Sequence, residues 1–170
     1  KDVALQILPR LLVKANLKTK ESAQTVILVA TSGDTGKAAL EGFKDVEGTR
    51  IIVFFPENGV SQVQKMQMVT QVGGNVSSVA VRGNFDDTQS GVKAIFSDRE
   101  MREKMLDNGL KFSSANSINW GRLVPQIVYY FSAYADLLAS GEITMGEKIN
   151  FAVPTGNFGN ILAGWYARQM

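Results

Sequence analysis

Short apolar runs alternate with helical segments along this chain, and this alternation constrains the fold more than any other feature. Five runs are predicted to be strands, at residues 25–30, 50–55, 75–81, 111–114 and 150–154. Most are continuously apolar, as is typical of strands covered on both faces. We therefore expect an α/β fold of three layers, α/β/α, around a mainly parallel sheet.

The segments between these runs carry helix signals. The predicted helices cover residues 2–15, 35–44, 61–72, 86–106 in two pieces, 120–139 and 159–170. Ser61 is a suitable N-cap for the third. Pro9 should kink the first helix or delay its start, and Pro125 should kink the long one.

The composition excludes several kinds of chemistry. The 170 residues include no Cys and no His, so this chain alone cannot build a Cys nucleophile, a Ser-His-Asp triad or a His/Cys zinc site. We expect no metal. The net charge is only +2 and no charge block occurs, so neither nucleic acid nor a membrane is an expected partner. The lack of a disulfide framework fits a cytoplasmic protein.

The ends of the sequence suggest a fragment of a longer chain. Lys1 is not preceded by a Met, and residues 163–170 still have a helical pattern where the sequence stops. We therefore expect further residues of the same protein on both sides.

The segment T-S-G-D-T-G at residues 31–36 follows the first strand and precedes a helix. Sites in parallel sheets lie beyond the carboxyl ends of the strands. Hydroxyls and backbone N–H groups at a helix N-terminus favour a bound carboxylate or phosphate. The spacing does not match a P-loop. The alternative is an ordinary helix start, with Asp34 or Thr35 as N-cap.

The segment G-N-F-G-N at residues 156–160 follows the last predicted strand and also precedes a helix. Its two glycines let the backbone approach a phosphate closely, and the helix dipole favours the charge. The alternative is a tight strand–helix turn in which Asn160 caps its own helix.

A third polar segment, N-S-I-N-W-G-R at residues 116–122, joins the fourth strand to the long helix. Asn116, Ser117, Asn119 and Arg122 could converge there. Arg is suited to binding phosphate. The alternative is an Asn-rich helix cap followed by an exposed Arg.

Together these three segments resemble the threonine synthase family, which belongs to the fold-type-II enzymes that use pyridoxal 5'-phosphate (PLP). The Asp form of T-S-G-D-T-G, the string P-T-G-N-F-G-N and the N-S-x-N…R…Q pattern carry the resemblance. Lys1-Asp2 also matches the family's F-K-D, although the Phe is absent. The resemblance implies a tryptophan synthase β-like architecture.

The resemblance also implies roles for individual residues. Lys1 would be the catalytic lysine that binds PLP as a Schiff base, and Asp34 would approach the cofactor's phenolic oxygen. The PLP phosphate would be held by Gly156, Asn157, Phe158, Gly159 and Asn160. The substrate would be bound by Thr31, Ser32, Gly33, Asp34 and Thr35, and its phosphate by Ser117, Asn119 and Arg122.

The implied reaction converts O-phosphohomoserine and water to threonine and phosphate, in a monomer or homodimer. Residues 1–140 would form the smaller domain, and residues 141–170 would begin the larger PLP-binding domain. One alternative is another fold-type-II lyase, either a dehydratase or a phospho-lyase giving 2-oxobutyrate, and T-S-G-D and N-S-I-N argue against the dehydratase. Another is a non-catalytic module that binds a phosphorylated ligand.

Overall fold

The computed structural model describes residues 2–170, and Lys1 lies outside this range. The helices are α1 Asp2–Thr19, α2 Asp34–Phe43, α3 Gln62–Val69, α4 Phe85–Ser97, α5 Arg99–Asp107, α6 Trp120–Ala139 and α7 Gly159–Gln169. The strands are β1 Gln24–Ala30, β2 Thr49–Pro56, β3 Val76–Val81 and β4 Leu110–Ser114. No helix in this part of the chain is both long enough and apolar enough to cross a bilayer.

The four strands form one sheet in the order β3-β2-β1-β4, and every neighbouring pair is parallel. The predicted parallel sheet is therefore confirmed. All four carboxyl ends lie at the same edge, because parallel strands share one direction. The turn after β1, at the centre of that edge, is the turn that contains T-S-G-D-T-G.

Alternate residues of β1 face opposite sides of the sheet, and both sides are covered. Ile27 and Val29 belong to a buried cluster with residues of α1, α2 and α3, such as Leu5, Phe43 and Met68. The alternate residues of β1, at positions 26, 28 and 30, pack instead with α4, α5 and β4. This double burial explains why β1 is an uninterrupted apolar run, and it gives the predicted three layers.

Helix α1 runs through Pro9 without a delayed start, and it continues four residues beyond the predicted end at residue 15. Pro9 has no N–H, so the carbonyl of Leu5 loses its helical donor. A Cβ at Gly42 of α2 would collide with that carbonyl oxygen. The lack of a side chain at Gly42 therefore allows α1 and α2 to pack closely. Lys20, with φ 54°, ends the helix in the left-handed conformation.

The predicted fifth strand at residues 150–154 is wrong. This segment has no strand conformation, and within residues 2–170 it pairs with no other strand. A strand requires a hydrogen-bonding neighbour, which an apolar run alone cannot guarantee. Phe151 instead packs its ring edge-to-face against Tyr130 of α6, with centroids 4.8 Å apart.

The prediction of two helical pieces at residues 86–106 is confirmed. The structure places the break at Asp98, whose side chain accepts from the N–H of Met101 and starts α5. Ser61 caps α3 as predicted. That helix ends at Val69 rather than residue 72, and Thr70 closes its last turn.

Candidate functional site

A cavity of about 430 Å³ opens beyond the carboxyl ends of the strands. The three polar segments of the sequence meet in its wall. The predicted site residues that line it are Thr35, Ser117, Arg122, Gly156, Asn157 and Asn160. The structure therefore brings together residues that lie more than 120 positions apart in the chain.

Thr31 shapes the loop after β1 from within. Its buried hydroxyl accepts hydrogen bonds from the N–H groups of Gly33 and Gly36, at 3.1 and 3.0 Å, and donates to the carbonyl of Gly33 at 3.0 Å. All of these bonds lie inside the loop. The hydroxyl of Thr31 thus supports the loop conformation rather than projecting into the cavity.

Helix α2 begins at Asp34, and no side chain caps its start. The alternative in which Asp34 or Thr35 caps this helix is therefore wrong. Within residues 2–170, the backbone N–H groups of Asp34 and Thr35 find no acceptor. Ser32 and the Asp34 side chain are exposed, and of the five predicted substrate-loop residues only Thr35 lines the cavity.

Close contacts leave no room for a side chain at two glycines of the T-S-G-D-T-G segment. A Cβ at Gly36 would lie 2.5 Å from Cγ2 of Thr31 and 2.7 Å from Sδ of Met68. A Cβ at Gly33 would lie 2.6 Å from Nε2 of Gln64. Helix α3, which carries Met68 and Gln64, therefore packs against the loop as closely as the backbone permits.

Asn119 begins α6 as its N-cap. Its side-chain oxygen accepts from the N–H of Gly121 at 2.9 Å, and its amide donates to the carbonyl of Ser114 at 2.6 Å. Asn119 is not part of the cavity wall. The role of this residue in binding a phosphate stays a prediction, and its observed contacts are those of a helix cap.

Arg122 is buried, with 2% of its surface exposed, and it lines the cavity. Its Nη1 donates to the carbonyl of Ala115, while its Nε has no hydrogen-bond partner within residues 2–170. No carboxylate in that range forms an ion pair with it. Burial lowers the pKa of Arg122, but arginine remains a cation at neutral pH. A bound anion would compensate this buried charge.

The turn before α7 is closed by the side chain of Asn160. Its oxygen accepts from the hydroxyl of Thr155 at 2.6 Å and from the N–H of Ile161 at 2.9 Å, and its amide donates to the carbonyl of Pro154. Tyr130 of α6 donates its hydroxyl to the carbonyl of Asn160 at 2.7 Å. Burial raises the pKa of Tyr130, so this hydroxyl keeps its proton at neutral pH.

The backbone N–H groups of residues 156–160 have no acceptor within the described part of the chain. They precede or begin α7, a helix of 11 residues, so its dipole favours a negative charge beside them. A Cβ at Gly156 would meet no atom within 4 Å, which leaves its backbone accessible. Phe158 is 70% exposed and projects away from the protein core.

Several residues of the cavity wall were not predicted from the sequence, among them Gln126, Tyr129 and Tyr130. Gln126 donates to the carbonyl of Arg122 at 3.2 Å, one turn earlier in α6. This spacing of four positions from Arg122 is the signal that could have placed Gln126 on the same helix face.

A parallel sheet between two layers of helices, with a cavity beyond its strand ends, is the arrangement of the fold-type-II PLP enzymes. Over its whole length the chain is 45% identical to threonine synthase of Pseudomonas aeruginosa and 38% identical to that of Saccharomyces cerevisiae. It is also 45% identical to human threonine synthase-like 1. The chain is thus homologous to one segment of the threonine synthase family.

Solved structures agree with the sequence matches. The PLP-bound threonine synthase from Brucella melitensis superposes with a TM-score of 0.80 at 42% identity, over 99% of this chain and 34% of that one. Threonine synthase from Escherichia coli superposes with a TM-score of 0.74 at 34% identity, over 95% of this chain and 36% of that one.

The chain spans 34% of the Pseudomonas protein, 33% of the yeast protein and 23% of the human protein. No family model matches it.

Proposed function

We propose that this chain is a segment of a PLP-dependent lyase that converts O-phosphohomoserine and water to threonine and phosphate. The observation that carries the proposal is the buried Arg122, which faces a cavity formed by all three predicted motifs and has no anionic partner within residues 2–170. The homology to threonine synthases supports the choice of substrate and product.

The residues at 156–160 suit the phosphate of PLP. Five consecutive backbone N–H groups without acceptors in the described chain, together with a helix N-terminus, provide donors and a favourable dipole. When bound, PLP supplies an electron sink for charge that develops at the substrate's α-carbon. Lys1, which lies outside the described residues, is proposed from its resemblance alone to attach the cofactor and to remove the proton from that carbon.

Arg122 and Ser117 are proposed to bind the phosphate that leaves the substrate. Arg122 is a fixed cation in a largely dehydrated position, so it stabilises negative charge more strongly than a solvated side chain would. Ser117 adds a hydroxyl to the same wall. Asn119 belongs to the same predicted set, but its contacts with Ser114 and Gly121 favour a supporting role.

The loop after β1 is proposed to bind the substrate's α-carboxylate. The N–H groups of Asp34 and Thr35 have no acceptor within residues 2–170, and they begin α2. A carboxylate beside them would gain two hydrogen bonds and the favourable end of the helix dipole. Thr31 would act indirectly, because its hydroxyl is committed to Gly33 and Gly36.

The domain organisation is part of the same proposal. Residues 1–140 would belong to the smaller domain, and residues 141–170 would begin the larger one. A cytoplasmic location and a monomeric or homodimeric state stay predictions.

The test uses the full-length protein that contains this segment. The protein is incubated with PLP and reduced with borohydride, and the adduct is located by mass spectrometry. The proposal expects a phosphopyridoxyl group on Lys1, absent from Lys1→Arg and retained in the matched variant Lys148→Arg. In a separate assay without borohydride, the PLP-loaded protein should convert O-phosphohomoserine and water to equal amounts of threonine and phosphate.

Other outcomes would support the alternatives. Formation of 2-oxobutyrate instead of threonine would indicate a dehydratase or phospho-lyase. A protein that binds inorganic phosphate but never forms an adduct on Lys1 would contradict the enzyme and favour a phosphate-binding module.

A further inference from the structure

Gln64 occupies the third position of α3, where it completes the cap of that helix. The hydroxyl of Ser61 accepts from the N–H of Gln64 at 3.2 Å. In return, Oε1 of Gln64 accepts from the N–H of Ser61 at 3.2 Å and from its hydroxyl at 3.1 Å. This is a reciprocal capping box, and it uses only the oxygen of the Gln64 amide.

The nitrogen of the same amide points to the loop after β1. Nε2 of Gln64 donates to Oδ1 of Asp34 at 2.8 Å. The orientation of the amide is fixed by chemistry, because only its oxygen can accept from Ser61 and only its nitrogen can donate to a carboxylate. Gly33 has no side chain, and a Cβ there would lie 2.6 Å from this nitrogen. The loop thus leaves room for the Gln64 amide.

We propose that Gln64 is a positioning residue that holds the carboxylate of Asp34 in its working orientation. The inference rests on the proposed function, and it takes from the family resemblance the expectation that Asp34 approaches the phenolic oxygen of PLP. Asp34 is exposed at the first position of α2, and Gln64 is its only side-chain partner within residues 2–170. Without this hydrogen bond the carboxylate would rotate freely, because nothing else in that range restrains it.

The substitution Gln64→Glu separates the two tasks of the residue. Glu is the usual residue at the third position of a capping box, so the start of α3 is preserved. Glutamate has no N–H to give Asp34, and its charge repels the carboxylate. The matched control Ser61→Ala does the reverse, since it removes the capping hydroxyl and leaves the amide of Gln64 beside Asp34.

The measurements are the dissociation constant for PLP, the visible absorbance of the bound cofactor and the melting temperature of the cofactor-free protein, all on the full-length enzyme. Gln64→Glu is expected to weaken PLP binding about tenfold, the equivalent of one hydrogen bond to a charged group, and to shift the absorbance. Its melting temperature should stay close to wild type. Ser61→Ala should lower the melting temperature by a few degrees and change neither cofactor property.

The double variant Asp34→Asn/Gln64→Glu tests whether Gln64 acts through Asp34. The amide introduced at position 34 can donate to the carboxylate introduced at position 64, so the hydrogen bond returns with its direction reversed. Gln64→Glu should therefore change PLP affinity less than about twofold in the Asp34→Asn background, which is the signature of coupled residues.

Two results would overturn the role of Gln64 while leaving the proposed function intact. One is a Gln64→Glu enzyme with wild-type cofactor affinity and absorbance. The other is an equal loss of affinity with and without Asp34→Asn. A wild-type enzyme that takes up no PLP would instead overturn the proposed function itself, and the cofactor-directed role of Gln64 with it.

Discussion

The side-chain amide of Asn116 forms two hydrogen bonds with the backbone of Ala30. It donates to the carbonyl at 2.9 Å and accepts from the N–H at 3.2 Å. Ala30 is the last residue of β1, and the paired register of β1 with β4 ends earlier, at Leu28 and Ser114. Through its side chain, Asn116 therefore continues the parallel pairing beyond the end of β4, and it ties the loop after β1 to the N-S-I-N segment.

The first prediction concerns this connection. Asn116→Ala should lower the free energy of unfolding by about 2–3 kcal/mol, because it leaves both buried backbone groups of Ala30 without a partner. Urea unfolding measures the loss. The control Asn108→Ala removes one exposed hydrogen bond, to the carbonyl of Lys104, and should cost well under half as much. Equal losses in the two variants would contradict the role given to Asn116.

The second prediction separates activity from stability at Arg122. Arg122→Met should reduce kcat/KM for O-phosphohomoserine by about 100-fold or more, as expected when a buried charge that stabilises a leaving anion is removed. The free energy of unfolding should change by only about 1 kcal/mol, since an apolar side chain avoids the cost of burying an unpaired charge.

The matched control for Arg122 is Arg102→Met, at an exposed position of α5, which should leave both quantities unchanged. Steady-state kinetics and urea unfolding test the pair. A large loss of stability in Arg122→Met with normal activity would contradict the role of Arg122 in catalysis and would show that the residue stabilises the fold.

The third prediction compares two helical glycines. Gly36→Ala should destabilise the protein by about 1–3 kcal/mol, because the new Cβ overlaps Thr31 and Met68. Gly91→Ala lies in α4, where a Cβ meets no atom within 4 Å. It should stabilise the protein by up to about 1 kcal/mol through its helix propensity. A destabilised Gly36→Ala and a stabilised Gly91→Ala in thermal unfolding would confirm that packing requires the glycine at position 36. Changes of the same sign would refute it.

The fourth prediction is a pH dependence at Glu21. The N–H of Ala23 and the ammonium of Lys111 both donate to its carboxylate, and they lower the pKa of Glu21 in the folded protein. A lowered folded pKa contributes stability above the unfolded pKa, and this contribution is lost as the pH falls through the folded pKa. Glu21→Gln should therefore be less stable than wild type at neutral pH, and the difference should disappear in acid.

Urea unfolding across the acid range measures the effect of Glu21. Lys111→Met removes one of the two donors and should show a smaller difference with the same pH dependence. A difference between wild type and Glu21→Gln that persists at the lowest pH would show that the carboxylate's charge is not its source.

The sequence predicted the central strand β1 well because this strand is buried on both faces. Residues 25–30 were assigned as a strand, and β1 is Gln24–Ala30. The same reasoning failed at residues 150–154, where an apolar run packs through Phe151 against Tyr130 and pairs with no strand within residues 2–170. Apolar character reveals burial, whereas strand pairing depends on a distant neighbour.

The meeting of separate segments at one site was also predictable from the sequence, but the roles of individual side chains were not. Segments that follow parallel strands must meet at one edge, which brought Thr35 and Ser117 into the same cavity after β1 and β4. The hydroxyl of Thr31 and the amide of Asn119 instead form hydrogen bonds within their own loops. The same side chain can bind a ligand or support a loop, and only its orientation decides between these roles.

The central position of β1 has a consequence for how the protein fluctuates. Its backbone is hydrogen-bonded on both edges, to β2 and β4, so its amide protons should be among the last to exchange with solvent. The T-S-G-D-T-G loop is attached directly to this slowly exchanging strand. Transient opening of the molecule should therefore begin at the outer strand β3 and at α5, and should leave this loop anchored until the whole sheet unfolds.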